Sequence, residues 1–196
     1  MKVLPESFYL APTEEVARNL IGQTLVVRTP EGLKRSRIVE TEAYLGVLDR
    51  ACHSFGGRRT ARNEAIYGKP GTSYVYFIYG MYFCLNAVTG ERGVPEAVLI
   101  RATEPFPLSE APPERGSRLE TNGPGKLCRF YGIERDDDGL NLASSRSRIF
   151  IERGEVNFWR IQRGSVSPGG IDSSAKARDW CLRYYLAGSR FVSKLR

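Results

Sequence analysis

The sequence predicts an α+β (mixed α/β) protein: a largely antiparallel, curved β-sheet with short flanking helices. Three observations carry that prediction. Strand-like runs follow one another through short Gly/Pro turns, which suits antiparallel neighbours rather than crossovers. Unambiguous helix signals are confined to two short segments. The chain has 196 residues, of which 41% are apolar and 26% charged. That is a globular composition, at a length that fits about one domain, residues 1–196.

The first helix starts near Thr13, after Pro12, and ends before Gly22. Thr24–Arg28 and Leu33–Tyr44 read as strands joined by the Thr29-Pro30-Glu31-Gly32 turn. Ser73–Tyr79 and Tyr82–Val88 form a second pair, with Gly80-Met81 at the tip. Ala97–Glu104 is a further strand, followed by a proline-rich surface excursion from Pro105 to Asn122. Gly123-Pro124 opens a helix to about Tyr131, because proline suits the first helical position. Ile149–Glu152 and Val156–Gln162 read as late strands, and 173–187 fits helix or strand equally. Gly68-Lys69-Pro70-Gly71-Thr72 lacks the spacing of a phosphate loop and reads as a turn.

Charge narrows the class of partner. Lys+Arg 29 against Asp+Glu 22 gives +7. A basic surface favours a polyanion such as nucleic acid, or an anionic membrane; a merely soluble basic protein is the bland alternative. The excess recurs at Lys34, Arg35, Arg37, at Arg58, Arg59, Arg62 and at Arg178, Arg183, Arg190, Lys194, Arg196. That spacing fits a folded basic face better than a basic arm. No apolar run reaches the ~18 residues of a membrane span. The first residues lack the apolar stretch of a secretory signal. Cys52, Cys84, Cys128 and Cys181 form no C-x-x-C pair, and His53 is the only histidine. Reduced, buried thiols in a cytoplasmic protein without a zinc site are expected.

Two segments carry chemistry. In a strand Ile38, Glu40, Glu42 and Tyr44 share one face. This is a solvated face or a pocket holding a general base. The pair could also serve as the two carboxylates of a carbohydrate hydrolase, although +7 and the lack of clustered tryptophans speak against sugar polymers. Residues 74–83 contain four tyrosines and two phenylalanines around Gly80-Met81. Core packing accounts for Phe77, Ile78 and Phe83, but buried tyrosine hydroxyls need partners. Aromatics at a hairpin tip suit insertion into, or stacking on, bases.

Together these stretches resemble a known family. Ile38–Gly46, His53-Ser54, Arg62-Asn63, Lys69–Thr72, Tyr74–Asn86, Val98–Ala102 and Asn122–Cys128 are similar to the motifs of the alkyladenine (3-methyladenine) DNA glycosylases. The match is densest over residues 10–133. Where members often carry a Pro-Arg-hydrophobic-Gly step, this chain has Ser167-Pro168-Gly169-Gly170. The resemblance implies a monofunctional enzyme that flips a damaged purine from duplex DNA and hydrolyses its N-glycosidic bond. It implies no cofactor and no metal. The partner is double-stranded DNA, entered from the minor groove by a protruding hairpin, and the protein is a monomer associated with the nucleoid. By position, Glu42 resembles the base that activates water, and Arg101 the arginine that helps hold it. The carbonyl near Ile171 resembles a third contact to that water. Tyr44, His53 and Tyr76 resemble the walls of the base pocket, and Asn86 a filter against the 2-amino group of guanine. Tyr79 resembles the wedge that fills the gap in the duplex. The backbone at Met81-Tyr82 and the side chains of Arg58, Thr60 and Lys126 resemble phosphate contacts by position. The competing reading is a damage- or RNA-binding module without catalysis, which accounts for the charge and the aromatics but not for Glu42.

Overall fold

A computed structural model describes residues 2–106, 120–155, 158–164 and 180–193. Its centre is an eight-stranded sheet: β1 (Thr24–Thr29), β2 (Gly32–Tyr44), β3 (Ser73–Ile78), β4 (Tyr82–Thr89), β5 (Glu96–Pro105), β6 (Ile149–Glu152), β7 (Ile161–Gly164) and β8 (Arg183–Leu186). The strand order is β3-β4-β5-β2-β1-β6, with β8 pairing to both β2 and β7. Every pairing is antiparallel.

Among the described residues, two α-helices flank the sheet. In α1 (Thr13–Leu20), Val16, Ala17 and Leu20 turn inward at helical spacing. Glu14 and Glu15 occupy the first turn, where the helix dipole favours negative charge. In α2 (Pro124–Tyr131), proline starts the helix, and Gly132 ends it in the left-handed conformation, φ 60°. Leu127, Cys128 and Tyr131 are its buried side.

The register fixes which residues share a face. Antiparallel partners lie side by side on the same side of the sheet. Tyr74 pairs with Asn86 and Tyr76 with Cys84 across β3–β4. Asn86 pairs with Leu99 across β4–β5. Leu99 pairs with Glu42, and Ala97 with Tyr44, across β5–β2. One face therefore carries the aromatic, polar and acidic side chains. The other carries Val75, Leu85, Ala87, Val98 and Ala43, which join Val16, Ala17 and Leu20 in the main core.

Strict alternation fails at one place. The β2–β5 register shifts between Ile38 and Glu40, and shifts back between Glu40 and Thr41. Val39 on β2 and Arg101 on β5 are the residues skipped. Bulges re-aim side chains beside functional sites. Here Ile38, expected on the face of the two glutamates, joins Val39 and Ala43 in the core.

Other expectations need correction. The strand read at Val156–Gln162 is a 3-10 turn at Phe158–Arg160 followed by β7; residues 156–157 lie outside the described set. Of the ambiguous segment 173–187, only the portion from 180 is described, and it holds β8. Most of the proline-rich excursion and the segment around Ile171 also lie outside. Cys52, Cys84 and Cys128 are buried as expected, but Cys181 is exposed. Arg183, counted with the basic face, is buried. Among the described residues, no helix is long and apolar enough to cross a membrane.

Candidate active site

The polar face of the sheet opens into a cleft of about 390 Å³ between the β3–β4 hairpin and the start of α2. Glu42, Tyr44, Tyr76, Tyr79, Tyr82, Arg101 and Lys126 are among its walls. Glu42 is fully buried, yet its carboxylate faces this cleft. The Tyr44 hydroxyl donates to Glu42 Oε1 at 2.8 Å, and Arg101 Nη1 donates to Glu42 Oε2 at 2.9 Å. Burial, and then the Glu42 charge, push the Tyr44 phenol well above its ordinary value. Tyr44 is therefore a neutral donor at any physiological pH. Burial opposes the charge on Arg101, but Glu42 and Glu40 beside it outweigh burial and keep the guanidinium protonated. Burial pushes the Cys84 thiol in the same wall up to about 11, so it is a neutral surface.

Glu40, two residues earlier, behaves differently. It accepts from Arg101 Nε (2.7 Å), Arg183 Nε (2.6 Å), the Ser193 amide (2.6 Å) and the Ser193 hydroxyl (2.9 Å). It sits behind Arg101 and has no exposed surface. Unlike Glu42, Glu40 is not a wall of the cleft, and both its oxygens are engaged by Arg101, Arg183 and Ser193, so a Glu40/Glu42 acid–base pair for sugars loses its geometry. Arg183, Ser193 and the role of Glu40 were not read from the sequence. Two acidic residues on one strand face, with an arginine on the next strand, were the available signal.

A second void of about 30 Å³ lies behind Tyr44 and Tyr76 and adds His53, Tyr74 and Asn86. His53 Nδ1 and the Tyr74 hydroxyl are 2.7 Å apart. Burial, and then the Arg58 charge, lower the His53 pKa from its ordinary value. Asn86 donates its amide to the Tyr74 carbonyl at 2.9 Å, which fixes its orientation. His53 and Tyr76 meet edge-on, with ring centroids 4.4 Å apart. A flat base between two rings needs two contact layers of about 3.5 Å each. The three expected wall residues are thus neighbours, but the slot between these two is closed.

The hairpin tip is a tight turn in which the Met81 amide donates to the Ile78 carbonyl. Its central residues, Tyr79 (φ 54°) and Gly80 (φ 67°), both have positive φ, as a I′ turn demands. Tyr79 is the only non-glycine with positive φ among the described residues. Its side chain is 69% exposed, and Met81 beside it is also exposed. A strained, exposed tyrosine points to a role outside the fold's own packing. Arg58 and Thr60 lie on a different groove, of about 310 Å³, which shares His53 and Tyr76 with the small void. Asn63 holds that loop, accepting from the Thr60 amide and hydroxyl and donating to the Arg58 carbonyl. Lys126 stands exposed at the main cleft, its ammonium donating to Asn122 Oδ1 at 2.8 Å. Among the described residues, no group of three His, Cys, Asp or Glu side chains could hold a metal ion.

Residues 7–190 match the family model of methylpurine-DNA glycosylases. The chain belongs to that family. It is a DNA glycosylase, a hydrolase of DNA repair. A protein of Bdellovibrio bacteriovorus is 48% identical over 192 residues, covering 98% of this chain and 99% of its own. One of Bacillus cereus is 44% identical (97% and 98% covered), and one of Desulfitobacterium hafniense 43% (98% and 99%). All three carry the provisional name 3-methyladenine DNA glycosylase.

Proposed function

We propose that this glycosylase flips alkylated or deaminated purines out of duplex DNA and hydrolyses the N-glycosidic bond with a water activated by Glu42. The observation that supports this most directly is the setting of Glu42. It is a buried carboxylate on the floor of an aromatic cleft, beneath a hairpin tip bearing an exposed tyrosine.

Breaking the N-glycosidic bond develops positive charge on the sugar, which a nearby carboxylate stabilises. Water attacks C1′, the bonding pair leaves with the purine, and Glu42 takes the water's proton. Each carboxylate oxygen has two lone pairs. Glu42 can therefore hold the water while still bonded to Tyr44 and Arg101. Purines alkylated at N3 or N7 are cationic and leave readily. Tyr44, Tyr76 and a neutral His53 favour such a ring by about 0.5–2 kcal/mol per cation–π contact. 3-Methyladenine and 7-methylguanine fit this description. Hypoxanthine and ethenoadenine are neutral and need a proton at a ring nitrogen before departure. Asn86, with its amide held by the Tyr74 carbonyl, opposes the 2-amino group of normal guanine by a clash; 7-methylguanine carries the same group and is cleaved because its cationic ring is the better leaving group. A base that enters between His53 and Tyr76 has to part the two rings, whereas one stacked against Tyr44 and Tyr76 in the main cleft does not.

In this reading Tyr79 wedges the minor groove. The backbone at Met81-Tyr82 and the side chains of Arg58, Thr60 and Lys126 hold phosphates on either side of the hairpin. The chain acts as one domain and as a monomer on DNA, in the cytoplasm. No cofactor takes part.

The test is single-turnover excision from a duplex with one hypoxanthine or ethenoadenine, read by alkali cleavage, for wild type and Glu42→Gln. Release of 3-methyladenine from alkylated DNA runs in parallel. Cleavage by wild type alone is expected. Normal turnover by Glu42→Gln overturns the assignment. Tight lesion binding without excision of any substrate points to the recognition-module alternative.

A further inference from the structure

The mechanism uses Glu42 and Arg101 but leaves a second buried ion pair unexplained. Arg183, at the start of β8, and Glu40, on β2, continue the same line of charges away from the cleft. Arg183 Nε donates to Glu40 Oε1 at 2.6 Å, Arg101 Nε donates to the same oxygen at 2.7 Å, and Arg101 Nη1 donates to Glu42 Oε2 at 2.9 Å. The charges alternate, +, −, +, −, and all four side chains are buried. Register places them together. Glu40 and Glu42 pair with Tyr185 and Arg183 on one side, while the bulge at Arg101 lies on the other.

From this geometry we infer that Arg183 is a positioning residue for the glycosylase reaction, acting through Glu40 and Arg101 to hold the Glu42 carboxylate in place. The inference rests on the proposed role of Glu42 as base. A buried carboxylate without its full complement of positive charge is costly. Without Arg183, Glu40 would draw on the one guanidinium it shares with Glu42, and Arg101 would turn toward it. Ser193 completes the clamp: its amide and hydroxyl donate to Glu40, while Arg183 Nη2 lies 3.1 Å from both its carbonyl and its hydroxyl. The C-terminal segment thus supplies part of the frame of a site whose reacting groups lie on β2 and β5. Arg183 itself is buried and does not face the cleft, so a direct contact with DNA is not its role.

The experiment compares wild type, Glu42→Gln, Arg183→Gln, Arg183→Lys and Ser193→Ala, all full-length. Readouts are single-turnover excision at saturating enzyme, affinity for lesion DNA, and the pH–rate profile, each normalised to folded protein by titration with lesion DNA. Arg183→Gln is expected to slow excision about tenfold or more with affinity unchanged, since only the chemical step is touched. The acid limb of its profile should move toward neutral pH, because positive charge has left the neighbourhood of Glu42. Arg183→Lys should restore the limb and most of the rate. An unchanged rate per folded molecule and an unchanged profile in Arg183→Gln overturn the inference, because a purely structural role lowers only the folded fraction. If Arg183→Gln does not fold, Ser193→Ala decides: a severalfold slower rate with the same direction of pH shift supports the inference, and wild-type behaviour overturns it. Glu42→Gln separates the two readings. Full activity there removes the base assignment; a dead Glu42→Gln beside a wild-type-like Arg183 set removes only the positioning role.

Discussion

Gly125 in the first turn of α2 lies hard against the hairpin. A Cβ built there would meet Tyr82 Cγ at 2.8 Å and Tyr82 Cβ and Cδ1 at 2.9 Å. Comfortable carbon contacts are about 3.5–4.0 Å. Gly125→Ala therefore forces Tyr82 back by most of an ångström. The atoms concerned lie at the root of the ring, so rotating the ring's far end does not relieve the clash. Such overpacking costs about 1–3 kcal/mol. Replacing glycine by alanine within a helix returns about 1 kcal/mol. The net is a loss of up to about 2 kcal/mol, and each kcal/mol lowers Tm by about 2–4 °C at this chain length. The effect on excision should be larger. Tyr82 and Lys126 both line the cleft, and Tyr82 is the first residue of β4 after the tip. A displacement of about 1 Å in a positioning element can cost about a hundredfold in rate. The assay pairs thermal unfolding with single-turnover excision. A raised Tm with undiminished excision would refute the claim that α2 and the hairpin are seated on each other here.

Three further outcomes are expected. Tyr79→Asn places the residue a I′ turn prefers before Gly80, so stability should hold or rise while lesion affinity falls; thermal unfolding and binding to lesion DNA check both signs, and a fall in stability with intact affinity contradicts them. His53 has a folded value below its ordinary 6.5, so the unfolded chain binds the extra proton between the two values. Stability is therefore complete above the ordinary value and declines as pH falls through it, by at most about 1.4 kcal/mol per pH unit; Tm measured across that range should flatten in His53→Gln. Arg58→Ala or Lys126→Ala should each reduce the salt dependence of DNA binding by about one unit of slope without changing lesion preference.

The parts of this protein that obey a simple period were readable from its sequence. The β3–β4 hairpin shows as an aromatic and β-branched run broken by Gly80, and period-two alternation placed Glu42 and Tyr44 side by side. The proline at 124 marked α2. What escaped depends on contacts between distant segments. No periodicity announces that Val39 and Arg101 are skipped in the β2–β5 register, so strict alternation puts Ile38 on the wrong face. Arg183 looks like any other basic residue near a basic terminus, because its burial is created by Glu40, more than a hundred positions earlier. The closed approach of His53 to Tyr76 is likewise a fact of packing. Cys181 shows the reverse error of composition: free thiols are usually sheltered, and this one is exposed.

The sheet order also separates two jobs physically. Glu42 sits on β2, which is paired to β5 on one side and to β8 on the other at this very residue. Its carboxylate is held by side chains from its own strand and from β5, and the arginine from β5 is held in turn by Glu40. Little there can move without breaking buried hydrogen bonds. Tyr74, Tyr76 and the tip at Tyr79 belong to β3 and its turn; among the described residues β3 ends the strand order beside β4, and its other side is tied to Gly139 and Leu140 at Ser73 and to Asp138 at the Val75 amide, which leaves the stretch from Tyr76 to the tip as the looser part. If a base enters between His53 and Tyr76, the displacement falls on this edge rather than on β2. Edge strands yield at lower cost than doubly paired ones, because fewer buried contacts open with them. Substitutions along β3 should therefore act mainly on lesion affinity and selectivity, and substitutions around Glu40, Arg101 and Arg183 mainly on the rate of bond cleavage. On the proposed reading, a recognition edge that opens and a hydrolytic centre that does not share one face of a single sheet, with β4 and β5 between β3 and β2.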